Sequence, residues 1–258
     1  MPLPPPIPSN SSIPDAQAVT RRRILDAAGE VFAVHGFRNA TVREICARAG
    51  ANIAGVNYHF GDKERLYREV LLDSAALARE RFPLDGGPNR AKPPTVDPPD
   101  AIAIFVRAFI GKLFDAGRPA WHAKLISREM SEPTGALQEV AERYMKPDFA
   151  RLKKAVAALL GPKARPTQVR HCASSIIAQC LFYHHCRPGV MMIMPEQEYD
   201  AASLEALAEH IIAFSLAAIA SLRGTSTKVA PRAAGSTTRR TTSNNSASKS
   251  TTRRRSSS

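Results

Sequence analysis

Residues 41–60 contain two short helical patterns separated by a glycine, and this stretch limits the possible folds of the chain more than any other. Thr41 followed by Glu44 has the form of a capping box, which predicts that a helix starts near Val42. Gly50 directly follows the last periodic residue, a place where glycine ends a helix and allows a sharp turn. The pattern therefore predicts a helix-turn-helix unit.

The second helix of this unit is expected to begin near Ile53 and to be buried through Ile53, Val56 and Phe60. Its opposite face carries small and hydrogen-bonding side chains, namely Ala54, Gly55, Asn57, Tyr58 and His59. A helix with such a face can enter a major groove about 12 Å wide. The alternative is an ordinary helical hairpin with a solvated face.

The flanking segments favour DNA binding over that alternative. Ahead of the unit, residues 21–37 have apolar side chains at helical spacing. Behind it, Gly61 is a helix stop, Asp62 is a helix N-cap, and residues 66–71 form a buried stripe. Together the segments predict a compact head made of three helices and followed by a fourth.

The motifs ILDAAGEVFAVHGFRNATVREICARAG and NYHFGDKERLY resemble the TetR family of bacterial transcriptional repressors. They cover residues 21–72. The resemblance implies an all-α protein with an N-terminal three-helix helix-turn-helix DNA-binding head and a C-terminal helical ligand-binding and dimerisation body. We expect the head at residues 18–64 and the body at residues 65–222.

The resemblance also implies roles for individual head residues. Thr41 corresponds to a position that contacts phosphate. The positions that clamp the DNA backbone correspond to Tyr58, His59 and Lys63. The base-facing positions correspond to Ala54, Gly55 and Asn57. Asparagine can pair with adenine and alanine can touch a thymine methyl group, but with such small residues much of the specificity is expected to come from DNA shape.

The net charge of +13 is mainly a property of the C-terminal tail. Residues 223–258 hold nine Lys and Arg and no acidic residue, which leaves +4 for residues 1–222. This Ser/Thr-rich tail has too little apolar surface to fold, so we predict a disordered basic extension, either dispensable or strengthening nonspecific DNA association. The proline-rich residues 1–17 are predicted to form a disordered leader.

Several features indicate a cytoplasmic protein. The first residues lack the basic start and apolar run of a signal peptide. A run of about 18 uncharged apolar residues is also missing, so no membrane association is expected. The four cysteines form no CxxC pair, and reduced thiols in the cytosol are the simplest interpretation.

The remainder of the folded chain shows only helical patterns, punctuated by Pro and Gly. A connecting helix is predicted over residues 62–82. The predicted body helices span residues 101–115, 119–130, 134–160, 167–186 and 201–222. Pro147 is expected to divide the third of these into two helices. The apolar stripes of the last two predict the four-helix interface of a dimer.

Two body segments resemble the C-terminal domain of the CecR (YbiH, CerR-like) subgroup. They are LISREMSEPTGAL at residues 125–137 and SIIAQCLFYHHCRP at residues 175–188. The resemblance implies a homodimeric repressor that responds to a drug or metabolite. Arg128 and Glu129, within the first segment, are expected to pair or cap within the body.

Aromatic and methionine residues of the body are candidates for lining a pocket, although core packing explains each nearly as well. The candidates are Phe105, Phe109, Trp121, Met130 and Phe149. Because this set has no ionic partner, the small-molecule inducer is expected to be apolar or aromatic with few charges.

Histidines and cysteines near the end of the body raise the question of a metal site. The residue types are present in His171, Cys172, Tyr183, His184, His185 and Cys186. Adjacent residues on a helix point about 100° apart and cannot close a site alone, so neither a metal nor a cofactor is expected. No Ser-His-Asp order, phosphate loop or paired-carboxylate motif supports catalysis.

The leading hypothesis is a homodimeric repressor, not an enzyme, that a small molecule releases from a pseudo-palindromic double-stranded operator. The alternatives are a nonspecific architectural DNA-binding protein driven by the basic tail, and a metal-dependent enzyme.

Overall fold

The computed structural model describes residues 16–84, 96–115 and 121–224, and within these ranges every regular element is a helix. The head and its connecting helix comprise α1 (Ala16–Asn39), α2 (Val42–Ala49), α3 (Ile53–Phe60) and α4 (Lys63–Arg81). The body comprises α5 (Pro98–Phe114), α6 (His122–Ser131), α7 (Leu137–Val140), a π-helical turn (Ala141–Met145), α8 (Lys146–Leu160), α9 (Pro166–His185), α10 (Arg187–Ile193) and α11 (Ala201–Leu222). The all-α prediction is confirmed.

The predicted leader and tail lie almost entirely outside the described residues. At the start, α1 begins at Ala16, so the last two residues assigned to the leader belong to the first helix of the head. At the C-terminal end, α11 stops at Leu222, directly before residue 223, where the tail was expected to start.

Local capping signals set the ends of the short head helices. The Thr41 hydroxyl accepts a hydrogen bond from the Glu44 N–H at 3.1 Å, and Gly50 ends α2 with a left-handed φ of 58°. The Asp62 carboxylate caps α4. Each of these features was predicted. The cap of α3 was not: it is Asn52, whose side chain accepts the N–H of Gly55 at 2.6 Å.

The core of the head forms where α1 packs across α2 and α4. Its fully buried side chains include Ile24, Val31, Phe32, Ile45 and Leu66. The prediction that Ile53 is buried was wrong, since 52% of it is exposed. Ile53 is the first residue of α3, and α3 reaches the core only through Val56 and Phe60 in its later turns.

A second core lies among α5, α8, α9 and α11. Its members include Ile102, Val106, Val156, Ile176 and Ile211. The helices α9 and α11 therefore each bury one face in this core and leave the other outside.

Pro147 does not divide the segment before α8. Residues 137–160 stay helical throughout, because the π-helical turn Ala141–Met145 precedes the proline in the first turn of α8. A widened turn tolerates a missing N–H and the bulk of the proline ring. A second departure from prediction is α10, which lies between the predicted helices 167–186 and 201–222. Pro188 occupies the first turn of this short helix, a position that proline favours.

Candidate functional site

The outer face of α3 presents most of the residues predicted to meet DNA. Ala54, Asn57 and Tyr58 are exposed, and 72% of Tyr58 is accessible. Gly55 and His59 are partly covered. Exposed small and amide side chains beside an aromatic residue suit contacts to base edges and to the DNA backbone.

The tight turn that orients α3 is held from α1. The Arg23 guanidinium donates hydrogen bonds to the carbonyl oxygens of Ala49 and Gly50, at the last turn of α2. This contact fixes the angle between α2 and α3. Nothing in the local pattern of residues 41–60 signals Arg23, because its partner carbonyls lie 26 and 27 residues further along the chain.

Lys63 lies at the start of α4, next to the end of α1. Its ammonium donates a hydrogen bond to the Arg38 carbonyl at 3.3 Å and lies 4.8 Å from the centroid of the Phe37 ring. Partial burial lowers the pKa of Lys63. Thr41 is exposed at the start of α2. The structure thus places Thr41 and Lys63 at helix starts in the head.

The body contains a cavity of about 580 Å³ whose walls come from α4, α5, α6, α8 and α9 and the π-helical turn. Four of the five predicted pocket residues line it: Phe105, Phe109, Met130 and Phe149. Phe105 and Phe109 stack with centroids 5.6 Å apart. The apolar character expected of the pocket is therefore present along much of its wall.

The fifth predicted pocket residue, Trp121, is not part of the cavity wall. Its indole packs on α1 at Gly29, so closely that a Cβ atom on Gly29 would lie 2.4 Å from the ring. Trp121 belongs instead to the contact between head and body. Only a residue without a side chain permits this close approach.

A charged cluster also lines the cavity. The Asp148 carboxylate accepts a hydrogen bond from the Arg79 guanidinium at 2.6 Å and another from the Lys112 ammonium at 3.4 Å. Burial lowers the pKa of Lys112. The expectation that the pocket lacks ionic groups was wrong. The three residues come from α4, α5 and α8, and their separation in sequence hid the cluster.

His122, at the start of α6, contributes a further polar group to the wall. Its Nδ1 lies 2.9 Å from the Ser74 hydroxyl oxygen. Burial, together with the positive charge of Lys112, lowers the pKa of His122 to about 4. The imidazole is therefore uncharged at neutral pH.

The far end of α6 is attached to the head. Arg128 donates to the Ala33 carbonyl at 3.0 Å and to the Val34 carbonyl at 2.5 Å, near the end of α1. The Tyr67 hydroxyl of α4 donates to the buried Glu129 carboxylate at 2.7 Å. The prediction that Arg128 and Glu129 pair or cap within the body was therefore wrong for Arg128. It is confirmed for Glu129, whose partners Tyr67 and Thr134 both lie within residues 65–222.

The residues considered as metal ligands do not come together. His171 and His185 are fourteen residues apart on α9, which is about 21 Å along a helix. The ring of His184 lies edge-on to Phe114. In the described ranges, no three His, Cys, Asp or Glu side chains are grouped so as to hold a metal ion.

The outer face of α11 is rich in alanine, whereas the outer face of α9 mixes polar residues such as His171 and Ser175 with Phe182. On α11, Phe214 is 58% exposed among alanines, and on α9 Phe182 is 42% exposed. By length and composition, α11 alone among the described helices could cross a membrane, with a mean hydropathy of 1.5 over a window that is only 28% buried. A polar residue, Gln179, links the two helices through the Ser215 hydroxyl at 3.3 Å.

A helix-turn-helix head joined to a helical body with an internal cavity defines a class, the DNA-binding transcriptional regulators with a separate regulatory domain. Residues 24–70 match the family described as bacterial regulatory proteins, tetR family. Residues 98–219 match the C-terminal domain of the HTH-type transcriptional dual regulator CecR. The chain belongs to the TetR family, with a body of the CecR type.

Known proteins show the same relationship. The HTH-type transcriptional dual regulator CecR of Shigella flexneri is 30% identical over 191 residues, which cover 72% of this chain and 84% of that protein. Two solved structures share the fold. HlyIIR, a hemolysin II transcriptional regulator, has a TM-score of 0.52 and 20% identity, covering 77% of this chain and 98% of its own. AibR, in complex with isovaleryl coenzyme A and operator DNA, has a TM-score of 0.54 and 18% identity, covering 76% and 97%.

Proposed function

We propose that the protein is a cytoplasmic homodimeric repressor that leaves a pseudo-palindromic operator when a small, largely apolar molecule binds in the body cavity. The observation that carries the proposal is α6, one short helix that lines the cavity and also holds the head. AibR, which shares the fold, is known with both a small molecule and operator DNA. That pairing makes the same division of labour reasonable here.

The cavity-lining residues of α6 and Arg128, which holds α1, lie on different faces. Successive helix residues are rotated by about 100°, so His122, Ile126 and Met130 share one face. All three line the cavity. Arg128 lies on a different face and contacts α1, whereas Glu129 follows His122 by two turns, lies beside it on the helix surface and contacts α4. A molecule that pushes on the first face therefore acts directly on the residues that position the head.

The size of the response has a physical limit. A ligand lowers DNA affinity only as far as it prefers the body conformation that places the heads wrongly for the operator. A coupling of about 1–3 kcal/mol corresponds to roughly a 5- to 150-fold loss of operator affinity. By linkage, the operator weakens ligand binding by the same factor.

For DNA recognition we assign the exposed face of α3 to the major groove. Asn57 is the candidate to pair with adenine, and Ala54 is the candidate to contact a thymine methyl group. Ile53 is exposed beside these residues and adds an apolar side chain to the face assigned to the major groove. Tyr58, His59, Thr41 and Lys63 are assigned to the DNA backbone, where they position the head without reading sequence.

For dimerisation we assign the outer faces of α9 and α11. The exposed alanines and Phe214 of α11 would otherwise leave an apolar strip in water. A second copy of the same two helices covers it through a two-fold axis and forms a four-helix interface. The two heads then face half-sites about one helical turn apart, roughly 34–36 Å, or more.

Selection of DNA from a random duplex library by the full-length protein tests the proposal. We expect enrichment of one pseudo-palindromic motif with two half-sites. Enrichment of no motif at all would contradict sequence-specific regulation and favour an architectural role. A single unpaired half-site would contradict the dimeric arrangement.

A further inference from the structure

The hydrogen bonds of Ser74 fix the tautomer of His122. The Ser74 hydroxyl oxygen lies 2.8 Å from the Leu71 carbonyl oxygen and 2.9 Å from His122 Nδ1. A carbonyl oxygen can only accept, so the single hydroxyl proton is donated to Leu71. The Ser74 oxygen must then accept a proton from Nδ1. In the neutral imidazole this leaves Nε2 as a hydrogen-bond acceptor.

His122 Nε2 is available to a ligand. The residue lines the cavity, and the residues described here offer Nε2 no hydrogen-bond partner. The lowered pKa of His122 keeps the ring neutral, so Nε2 retains its lone pair at neutral pH. An acceptor in a cavity wall without a protein partner favours a ligand that brings a donor.

Lys112 supplies a donor to the same cavity. Its ammonium has three N–H groups, and its one hydrogen bond within the described ranges is the 3.4 Å contact with Asp148. Arg79 also holds Asp148, so the carboxylate is already shared. Lys112 is close enough to His122 for its charge to lower the pKa of the imidazole. An acceptor and a donor therefore line the same cavity, whose wall is otherwise mainly apolar.

We propose that this polar corner selects an apolar molecule carrying an uncharged phenolic or alcoholic hydroxyl group, which donates to His122 Nε2 and accepts from Lys112 Nζ. The inference rests on the ligand-binding role proposed above and narrows its ligand class. A hydroxyl group is the smallest group that both donates and accepts through one atom.

Other head groups match the corner less well. A carboxylate has no proton to donate, so its lone pairs would be repelled by the lone pair of Nε2. A cationic group would be repelled by the positive charges of Lys112 and Arg79. A plain hydrocarbon would leave Nε2 and the free N–H groups of Lys112 without partners in a desolvated site. Each mismatch costs affinity, while the contacts of the apolar body stay the same.

Three probes of nearly equal shape test the selection: 2-naphthol, 2-methylnaphthalene and 2-naphthoate. We expect the full-length protein to bind 2-naphthol about tenfold more tightly than 2-methylnaphthalene in titration calorimetry, with 2-naphthoate weaker than 2-naphthol. His122→Leu should abolish the preference and leave the Kd for 2-methylnaphthalene within about twofold. The matched control His35→Leu, a change in the head, should keep the preference.

A direct readout of the tautomer accompanies the titrations. In ¹⁵N-edited NMR of the imidazole rings, the signal of His122 is the one missing from the spectrum of His122→Leu. That signal should report a proton on Nδ1. In Ser74→Ala the fraction of His122 rings with a proton on Nδ1 should fall. A proton on Nε2, equal binding of 2-naphthol and 2-methylnaphthalene, tighter binding of 2-naphthoate, or failure of all three probes to bind would each overturn the inference.

These outcomes are separable from the proposed function. If the preference for 2-naphthol holds while a selected duplex stays bound, gating fails and the assignment of the corner stands. If a molecule of another class releases the duplex and the preference is absent, the regulator stands and this inference fails.

Discussion

Asn57 and Lys63 are expected to contribute to DNA binding in different ways. Asn57→Ala should lose about 1–3 kcal/mol for the preferred duplex and little for a random one, because a bidentate contact to a base is lost. Lys63→Ala should weaken both duplexes alike and flatten the salt dependence of binding. Titrations of both duplexes at several salt concentrations distinguish the two patterns.

Lys63 also caps the end of α1 through the Arg38 carbonyl, so its loss has a structural component. The thermal stability of Lys63→Ala must therefore be measured beside its affinity. An Asn57→Ala protein with unchanged site preference would remove Asn57 from the base-reading set.

His122 should make the folded protein sensitive to mild acid. Above its ordinary pKa of 6.5 the ring is neutral in the folded and the unfolded chain and has no effect. Between pH 6.5 and about 4 the unfolded chain takes up a proton that the folded protein excludes, so the free energy of unfolding falls as pH falls. The loss levels off near pH 4 and amounts to at most about 3 kcal/mol.

Denaturant unfolding at a fixed protein concentration measures this effect across pH 4–7. His122→Leu should show a smaller fall than the parent protein. Parallel curves for His122→Leu and the parent would mean that the ring takes up its proton in the folded state.

At the scale of the helices, the contact between α1 and Trp121 requires a glycine. Gly29→Ala would place a Cβ atom 2.4 Å from the indole, so the ring or the helix must move. We expect a loss of about 1–3 kcal/mol in the free energy of unfolding, as for other overpacked sites. The control is Gly189→Ala in α10, where nothing lies within 4 Å and the change should be nearly neutral.

Trp121→Leu should restore part of the stability lost in Gly29→Ala, because a smaller side chain leaves room for the new methyl group. Equal stability of Gly29→Ala and the parent protein would show that the interface between α1 and Trp121 is loose.

The attachment of α6 to the head should depend on Arg128. Arg128→Ala removes two hydrogen bonds from the carbonyl oxygens of Ala33 and Val34 at the end of α1. Amide hydrogen exchange in residues 36–40 should become faster, while exchange in α8 stays unchanged. Arg128→Lys keeps a cation near the helix end and should recover part of the protection. Unchanged exchange in Arg128→Ala would argue against α6 as the connection to the head.

Sequence prediction succeeded where the signal is local. The capping box at Thr41 and the stops at Gly50 and Gly61 lie within a few residues of the helix ends that they set. The outcome differed where partners are distant along the chain. Arg128 reaches carbonyls 95 and 94 residues away, and the Arg79–Asp148 pair spans 69 residues. Pairing at such distances depends on how helices pack, which no spacing pattern encodes.

At the scale of the whole molecule, the separate head and body cores explain how one chain can combine two tasks. The helix-turn-helix unit packs on the head core, and the cavity is lined mainly by helices of the body. Trp121, directly before α6, and Leu125 of α6 pack against the head core, while His122 and Ile126 line the cavity. Substitutions in the cavity should therefore alter ligand binding with little effect on the fold of α3.

The proposed dimer depends on the outer face of α11. Phe214→Glu puts a charge at the centre of this face, where Phe214 is 58% exposed. We expect sedimentation equilibrium to show a dimer for the parent protein at micromolar concentration and at least tenfold weaker association for the variant, since burying an unpaired charge is costly. Val34→Glu is the matched control, because Val34 is 59% exposed on α1, outside the proposed interface.

Affinity for a two-half-site duplex should fall in parallel in Phe214→Glu, because a single head makes only half of the contacts. Binding to an isolated half-site should stay the same, which separates loss of dimerisation from damage to the head. A monomeric parent protein would exclude the homodimer. A fully dimeric Phe214→Glu protein would place the interface elsewhere on the body, and the apolar face of α11 would then need a different partner.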